Sequence, residues 1–238
     1  MTSLMSSGVA IAARSKLRRH PRMQRTVVRL LSLGRSADMY EHNFREAMLS
    51  CIRPGDCVWD VGANVGFYSE LFALAVGPSG MVISFEPSPA CVSLLEDRLR
   101  DRAAGASWEV VRLALSDSDG DAWLSLGDGD TAPSNHLASR DDACAVRVKT
   151  ARGDSVLAGG RRAPAVIKID VEGFEGEVLD GMKAVLGLPS LRAVCLEVHF
   201  AALSERGRPS EPDRITRLLQ SEGFTLKWVD MSHVIACR

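Results

Sequence analysis

Two short stretches of this chain place ionisable groups where apolar strands should end. In Lys168-Ile169-Asp170-Val171-Glu172, the alternation of an extended segment sets Lys168, Asp170 and Glu172 on one face. Leu196-Glu197-Val198-His199 does the same for Glu197 and His199. An unpaired ammonium inside an apolar strand is costly, so Lys168 is expected to meet a carboxylate, either as structural support or as part of catalytic machinery. Histidine exchanges its proton near neutral pH, which makes His199 a candidate base for a hydroxyl, oriented by Glu197 or Asp170. A purely structural histidine fits the same residues. Asp170, Glu197 and His199 could also ligate magnesium, but three groups leave the ligand set incomplete and a metal is not the favoured reading.

A third stretch, Val58-Trp59-Asp60-Val61-Gly62-Ala63-Asn64-Val65-Gly66, reads as an apolar strand, a glycine turn and a helix start. Twenty-four positions after Gly62, the run Met81-Val82-Ile83-Ser84-Phe85 ends at Glu86-Pro87. A glycine turn lets backbone approach a ligand, and an acid closing the next strand can accept both hydrogen bonds of a ribose diol. The Gly-x-x-x-Gly spacing differs from the Gly-x-Gly-x-x-Gly that seats a pyrophosphate, and no lysine or arginine lies between Asp60 and Gly80. These features favour S-adenosylmethionine over NAD, with Asp60 able to hold water or the amino group of the methionine part. A turn serving only strand-on-helix packing is the plainer alternative, and Glu86 weakens it.

Such groups need strand ends gathered along one edge, and the hydrophobic pattern supplies them. Strands are expected at Cys57–Val61, Met81–Phe85, Trp108–Leu113, Ala165–Val171 and Arg192–Val198, alternating with helices at Phe67–Val76, Pro89–Ala104, Glu175–Leu186 and Asp213–Glu222. This alternation predicts an α/β fold with a mostly parallel sheet and helices on both faces. The last two strands, Phe224–Asp230 and His233–Cys237, are joined by Met231-Ser232 and must run antiparallel. That ending on a Rossmann-like sheet is the class I methyltransferase layout rather than that of most dehydrogenases. Alternating runs at Ala122–Leu126 and Ala145–Thr150 predict a β-hairpin or edge ribbon, inserted at about 118–163. Its 127–140 loop is expected near the substrate, together with Tyr40 and His136. The run Asp117-Ser118-Asp119-Gly120-Asp121 lacks the glutamate that would complete a calcium loop.

With 238 residues, 46% hydrophobic, the chain suits one such domain over residues 51–238, preceded by a basic helical region or lid over residues 1–50. Residues 1–36 hold eight Lys or Arg and no acid, leaving twenty-one bases against thirty acids in the remainder. A net charge of -1 argues against a nucleic-acid partner. Met23–Leu33 reads as a basic amphipathic helix that could cover the domain, build a homo-oligomer or meet an acidic membrane surface. Gly8–Ala13 is too short for a secretory core, and no run reaches the roughly 18 apolar residues of a transmembrane span. The six cysteines form no C-x-x-C pair, consistent with a reducing cytoplasm.

From about Tyr40 to Phe200 the chain resembles the FkbM family of S-adenosylmethionine-dependent methyltransferases. The ordered segments RPGDCVWDVGANVGFYS, FEPSP, LALSD, IKIDVEGFEGEVLDGM and LEVH carry the resemblance. It implies that Asp60, Gly62, Asn64 and Gly66 line the methionine and ribose side of the cofactor. It also implies that Glu86, followed by Pro87, binds the ribose hydroxyls, that Ser116 and Asp117 lie by the adenine, and that Asp170 and Glu172 flank the transferred methyl. The segment Thr150-Ala151-Arg152-Gly153-Asp154-Ser155-Val156 departs from the family's threonine-leucine-aspartate run.

The expected activity is O-methylation of a hydroxyl on a sugar or a secondary-metabolite scaffold of polyketide or macrolide type. Its catalytic candidates are His199, Asp170, Glu172 and Lys168, with Glu197 toward the small-molecule or saccharide acceptor. The rivals are a non-catalytic nucleoside-binding adaptor or membrane-associated protein, and an NAD-dependent dehydrogenase.

Overall fold

The computed structural model describes residues 36–125, 136–138 and 145–238, with 36–40 and 136–138 described by backbone path alone. Residues 1–35, which include the expected basic helix, and most of the 127–140 loop lie outside the described residues. In chain order the elements begin with α1 (Ser36–Leu49), β1 (Cys57–Val61), α2 (Phe67–Val76), β2 (Met81–Phe85), α3 (Pro89–Arg102) and β3 (Ser107–Val111). The middle holds β4 (Ala114–Leu115), β5 (Gly120–Ser125), β6 (His136–Ala138), β7 (Ala145–Ala151), α4 (Gly153–Ala158) and β8 (Val166–Ile169). Last come α5 (Glu175–Asp180), α6 (Lys183–Leu186), β9 (Ala193–Glu197), α7 (Phe200–Glu205), α8 (Glu211–Ser221), β10 (Thr225–Trp228) and β11 (His233–Cys237).

The main sheet runs β10-β11-β9-β8-β1-β2-β3. Its β9-β8-β1-β2-β3 half is parallel, and β11 lies antiparallel to both β9 and β10. This is the arrangement expected from the sequence, down to the closing pair around Met231-Ser232. Central strands buried on both faces must be apolar nearly throughout. Their alternate residues feed two cores accordingly. Trp59, Val61, Ile167, Ile169 and Leu196 pack toward Leu179, Ile215 and Leu219, while Val58, Val82 and Val166 pack toward Phe44, Met48, Phe72 and Leu95. Phe44 and Met48 are buried, which docks α1 onto the sheet.

The inserted segment is larger than a hairpin. A second sheet forms in the order β4-β7-β5-β6, with β5 antiparallel to both β6 and β7. Its acids find protein partners: Asp119 accepts from the Arg152 backbone N–H at 2.7 Å and from Ser155 Oγ at 2.7 Å, while Asp121 pairs with Arg147 and Lys149. The helix expected over Glu175–Leu186 is divided at Gly181-Met182. Gly181 lies against the inserted segment so closely that a Cβ there would sit 1.9 Å from the Ser116 carbonyl oxygen. The short helices α4 and α7 were not legible, because six residues span too few turns for a period to register.

Gly62 ends β1 in the left-handed region with φ 78, and a Cβ there would lie 1.9 Å from the Asp170 carbonyl oxygen. Neither backbone segment can move away, since Asp170 N–H donates to the Val61 carbonyl at 3.1 Å. Gly62→Ala should therefore cost about 3 kcal/mol or more in a denaturant melt, combining left-handed strain with a backbone clash. Gly223→Ala, at φ 86 with nothing within 4 Å, should cost only about 1 kcal/mol. Equal costs for the two would show that Asp170 does not press on the turn.

Candidate active site

The turn after β1 is closed by main-chain bonds from Gly62 and Ala63 N–H to the Phe85 carbonyl, each 3.1 Å. Asn64 follows at φ 48, and its N–H donates to Glu86 Oε2 at 2.8 Å. Ser88 N–H donates to the other oxygen, Oε1, also at 2.8 Å. Glu86 is thus aimed by two backbone donors at the end of β2 and is 6% exposed. Burial raises its pKa, and the two N–H bonds oppose that rise. A cavity of about 250 Å³ opens above it, between the turn, β4, β5 and the ends of β8 and β9. Gly62, Asn64, Glu86 and Pro87 form one side, Leu115, Leu124 and Cys91 an apolar side, and Asp170, Glu172, Glu197 and His199 the remainder.

Beneath the turn, the parallel register sets Asp60 opposite Lys168. The Lys168 ammonium is buried 3.2 Å from Asp60 Oδ1 and 3.4 Å from Asp170 Oδ2, and it donates to the Gly62 carbonyl at 2.8 Å. Burial works against its charge, but the two carboxylates outweigh that and hold its pKa above the ordinary lysine value. Ser69 Oγ completes the set, donating to Asp60 Oδ2 at 2.6 Å.

At the end of β9, His199 is ringed by acids. Its Nδ1 lies 2.6 Å from Glu175 Oε1, and that same oxygen accepts from Gly173 N–H at 2.9 Å. Its Nε2 faces Glu172 at 3.4 Å, Asp170 at 3.6 Å and Glu197 at 3.9 Å. Burial opposes the charged ring, yet Glu172, Glu175 and Asp170 together push its pKa up to about 11. Burial also acts to raise Asp170, but Lys168 and His199 hold it below the usual carboxylate value. A second imidazole stands behind Glu197: His233 Nε2 lies 3.3 Å from Glu197 Oε2, and its Nδ1 lies 2.7 Å from Asp230 Oδ2. Burial disfavours its charge as well, but Asp230 and Glu197 raise its pKa to about 9.

This geometry stands on a chain with clear relatives. The Methyltransferase FkbM domain profile matches residues 60–226. The chain belongs to the FkbM methyltransferase family. It is 33% identical over 181 residues to the hexuronic acid methyltransferase AglP of Haloferax volcanii, covering 72% of this chain and 70% of the relative. Against the 31-O-demethyl-FK506 methyltransferase FkbM of Streptomyces tacrolimicus, identity is 32% over 208 residues, covering 74% and 75%. Among solved structures, cofactor-bound Rv0187 from MTB superposes with a TM-score of 0.51 at 13% identity, covering 99% of this chain and 92% of that one. The fold is that of the class I methyltransferases.

In this FkbM-family protein, the cavity gathers Gly62, Asn64, Glu86, Pro87, Asp170, Glu172, Glu197 and His199 of the residues singled out from sequence. Others stand elsewhere. Asp60 is fully buried under the turn, facing Ser69 and Lys168 rather than the cavity, because a carboxylate in that register is needed against the ammonium. Lys168 is likewise beneath the cavity. Gly66 caps α2 with φ 84, close against Leu95. Ser116 and Asp117 follow the lining residue Leu115 without joining the wall. The side chains of Tyr40 and His136 lie outside the described residues.

Two site candidates have other neighbours in the fold than their sequence positions suggest. The sequence makes His199 a candidate base oriented by Glu197 or Asp170; in the fold its Nδ1 lies against Glu175, and the surrounding acids favour its charged form. The sequence offers Asp170, Glu197 and His199 as a possible but not favoured magnesium set; among the described residues, the ligand atoms within 4.8 Å of one another belong to Asp170, Glu172 and His199. Glu197 turns toward His233, and Glu172, at φ 50, is swung inward. Glu175 was missed because it begins a helix, where an acid is ordinary.

The folded pKa of His199 exceeds the ordinary value of 6.5, so its stabilising contribution is complete below about pH 6.5 and is lost as pH rises toward 11. His233 adds a loss of the same sign that finishes nearer pH 9. Ring 15N shifts should report an imidazolium at His199 at pH 8.5, and Glu175→Gln should lower its midpoint by a unit or more. A neutral ring at pH 8.5 in the unliganded protein would contradict this electrostatic picture.

Proposed function

We propose that this FkbM-family methyltransferase transfers the methyl group of S-adenosylmethionine to a hydroxyl of a sugar or secondary-metabolite scaffold. The observation that carries this is the pairing of Glu86, aimed by two backbone N–H groups, with a cavity whose described lining contains four acids and no lysine or arginine. Each Glu86 oxygen keeps a lone pair for a ribose hydroxyl. Leu115 and Leu124 offer apolar surface to an adenine, and Ser116 and Asp117 follow Leu115 directly in the chain. A sulfonium and an ammonium both gain from the acidic wall, whereas a diphosphate would meet repulsion, so the dehydrogenase rival is disfavoured. The same repulsion favours a hydroxyl over a carboxylate as acceptor, although one relative's name specifies a hexuronic acid.

In the transfer, the acceptor oxygen forms a bond to the methyl carbon as the carbon–sulfur bond breaks. Sulfur keeps the electron pair and the hydroxyl proton must leave. We assign that proton to a carboxylate on the Nε2 side of His199, either Glu172 or Glu197, with the imidazolium holding these acids in place. Asp170, seated on Lys168 and lining the cavity, would supply negative charge to the bound sulfonium. Alignment and exclusion of water supply most of the acceleration such a displacement needs.

A divalent cation on Asp170, Glu172 and His199 is a second reading, favoured by the convergence of their ligand atoms. We prefer the metal-free one, since the Nε2 proton already faces these carboxylates. Turnover should survive dialysis against EDTA; loss that magnesium or manganese restores would transfer the role to a metal. Glu86→Ala should weaken S-adenosylmethionine binding by about 100-fold or more in calorimetry, as two charge-assisted hydrogen bonds disappear. Undiminished affinity in a variant that melts normally would refute the pocket assignment.

A further inference from the structure

A second cavity of about 430 Å³ begins where the first one ends. It shares Glu172, Glu197 and His199 with the first and continues past Phe200, Ala201 and Met231, along α7 and the β10–β11 turn. The three shared side chains therefore form a partition open to both spaces. Its volume falls within the roughly 300–1,000 Å³ of small-molecule sites.

The lining has two characters. Phe200, Ala201, Ala202 and Met231 give apolar surface, and Glu172, Glu197 and Glu205 give carboxylates, with no lysine or arginine among the described lining residues. An anionic acceptor would find repulsion from these three carboxylates, and His199, the cationic group among the described lining residues, is already faced by Glu172 and Glu197. A fixed cation would find the inner acids already facing imidazoles, since Glu197 meets both His199 and His233 and Glu172 meets His199. A neutral polyhydroxylated ring matches both walls, because its C–H face is apolar and its hydroxyls donate to carboxylates.

Glu197 is also the best-fixed acid of the partition. His233 lies 3.3 Å from one of its oxygens, Asp230 holds the far side of that imidazole, and the Phe44 ring stacks on it at 4.1 Å between centroids. The other oxygen stays on the side of His199, 3.9 Å away.

We propose that this second cavity is the acceptor site, that it takes a neutral saccharide ring rather than a uronate or amino sugar, and that Glu197 orients the reacting hydroxyl with His233 as its positioning residue. The proposal rests on the methyltransferase reading, with the cofactor in the first cavity. It extends that reading by naming where the acceptor sits and which charge it carries.

The test uses the full chain saturated with S-adenosylhomocysteine, and saturation-transfer NMR with methyl β-glucopyranoside, the matched methyl glucuronide and methyl glucosaminide as probes. The neutral glycoside should give a signal at least fivefold stronger than either charged probe. Ala201→Trp, which fills the second cavity, should abolish it while calorimetric affinity for S-adenosylhomocysteine stays within twofold. His233→Ala should weaken the glycoside signal several-fold, and His233→Gln, which keeps a donor toward Glu197, should restore most of it. Stronger binding of a charged probe, no glycoside binding at all, or a signal unaffected by Ala201→Trp overturns the assignment. Failure of S-adenosylhomocysteine to bind the wild-type chain overturns the cofactor reading itself, which the calorimetric arm reports separately.

Discussion

The Lys168 ammonium, buried between two parallel strands, is the interaction on which this architecture turns. An isolated charge could not remain in that position, and removing one partner from a buried pair costs about 3–5 kcal/mol. Asp60 meets Lys168 across the β1–β8 register, Asp170 meets it one step beyond the strand, and the Gly62 carbonyl takes a hydrogen bond from it. Three features of this cavity edge are thereby tied to one atom. The glycine turn is held against β8, Asp170 is held at the cavity mouth as a carboxylate, and the two strands cannot slip without exposing a charge to the apolar interior.

Electrostatic organisation continues outward in layers. Next to the lysine, the acids of the β8 and β9 ends would repel one another if left alone. His199 lies among three of them, with Glu175 of α5 on its other nitrogen, an environment that favours its charged form, while His233 and Asp230 secure the outermost acid, Glu197. The result is a cavity wall with fixed orientation and an excess of negative charge, suited to a cationic methyl donor. The apolar wall from Leu115 and Leu124 comes from the second sheet, so the inserted segment contributes a face of the same cavity.

Much of this was legible in the sequence where a local rule applies. Cys57–Val61, Phe67–Val76 and Met81–Phe85 were bounded correctly because glycine, proline and acid positions punctuate them. Glu86 stood out because an acid closing an apolar run seldom has a packing purpose. The division of Glu175–Leu186 was hidden, since Gly181 breaks the helix through contact with Ser116, a residue sixty-five positions away. His199 was visible as a polar residue at a strand end, but its protonation depends on Glu172 and Glu175 approaching from another element.

By itself the sequence determined the strand and helix alternation, the antiparallel ending, the glycine turn and the identity of the acids at the strand ends. These follow from hydrophobic period and backbone preference, which act over a few residues. Only the tertiary structure decided which acids share a space. It sent Asp60 inward to Lys168, brought Glu172 rather than Glu197 to the converging trio, and placed His233 and Phe44 behind Glu197. Charge interactions act through space and depend on burial, so their outcome exists only once distant strands have been brought side by side.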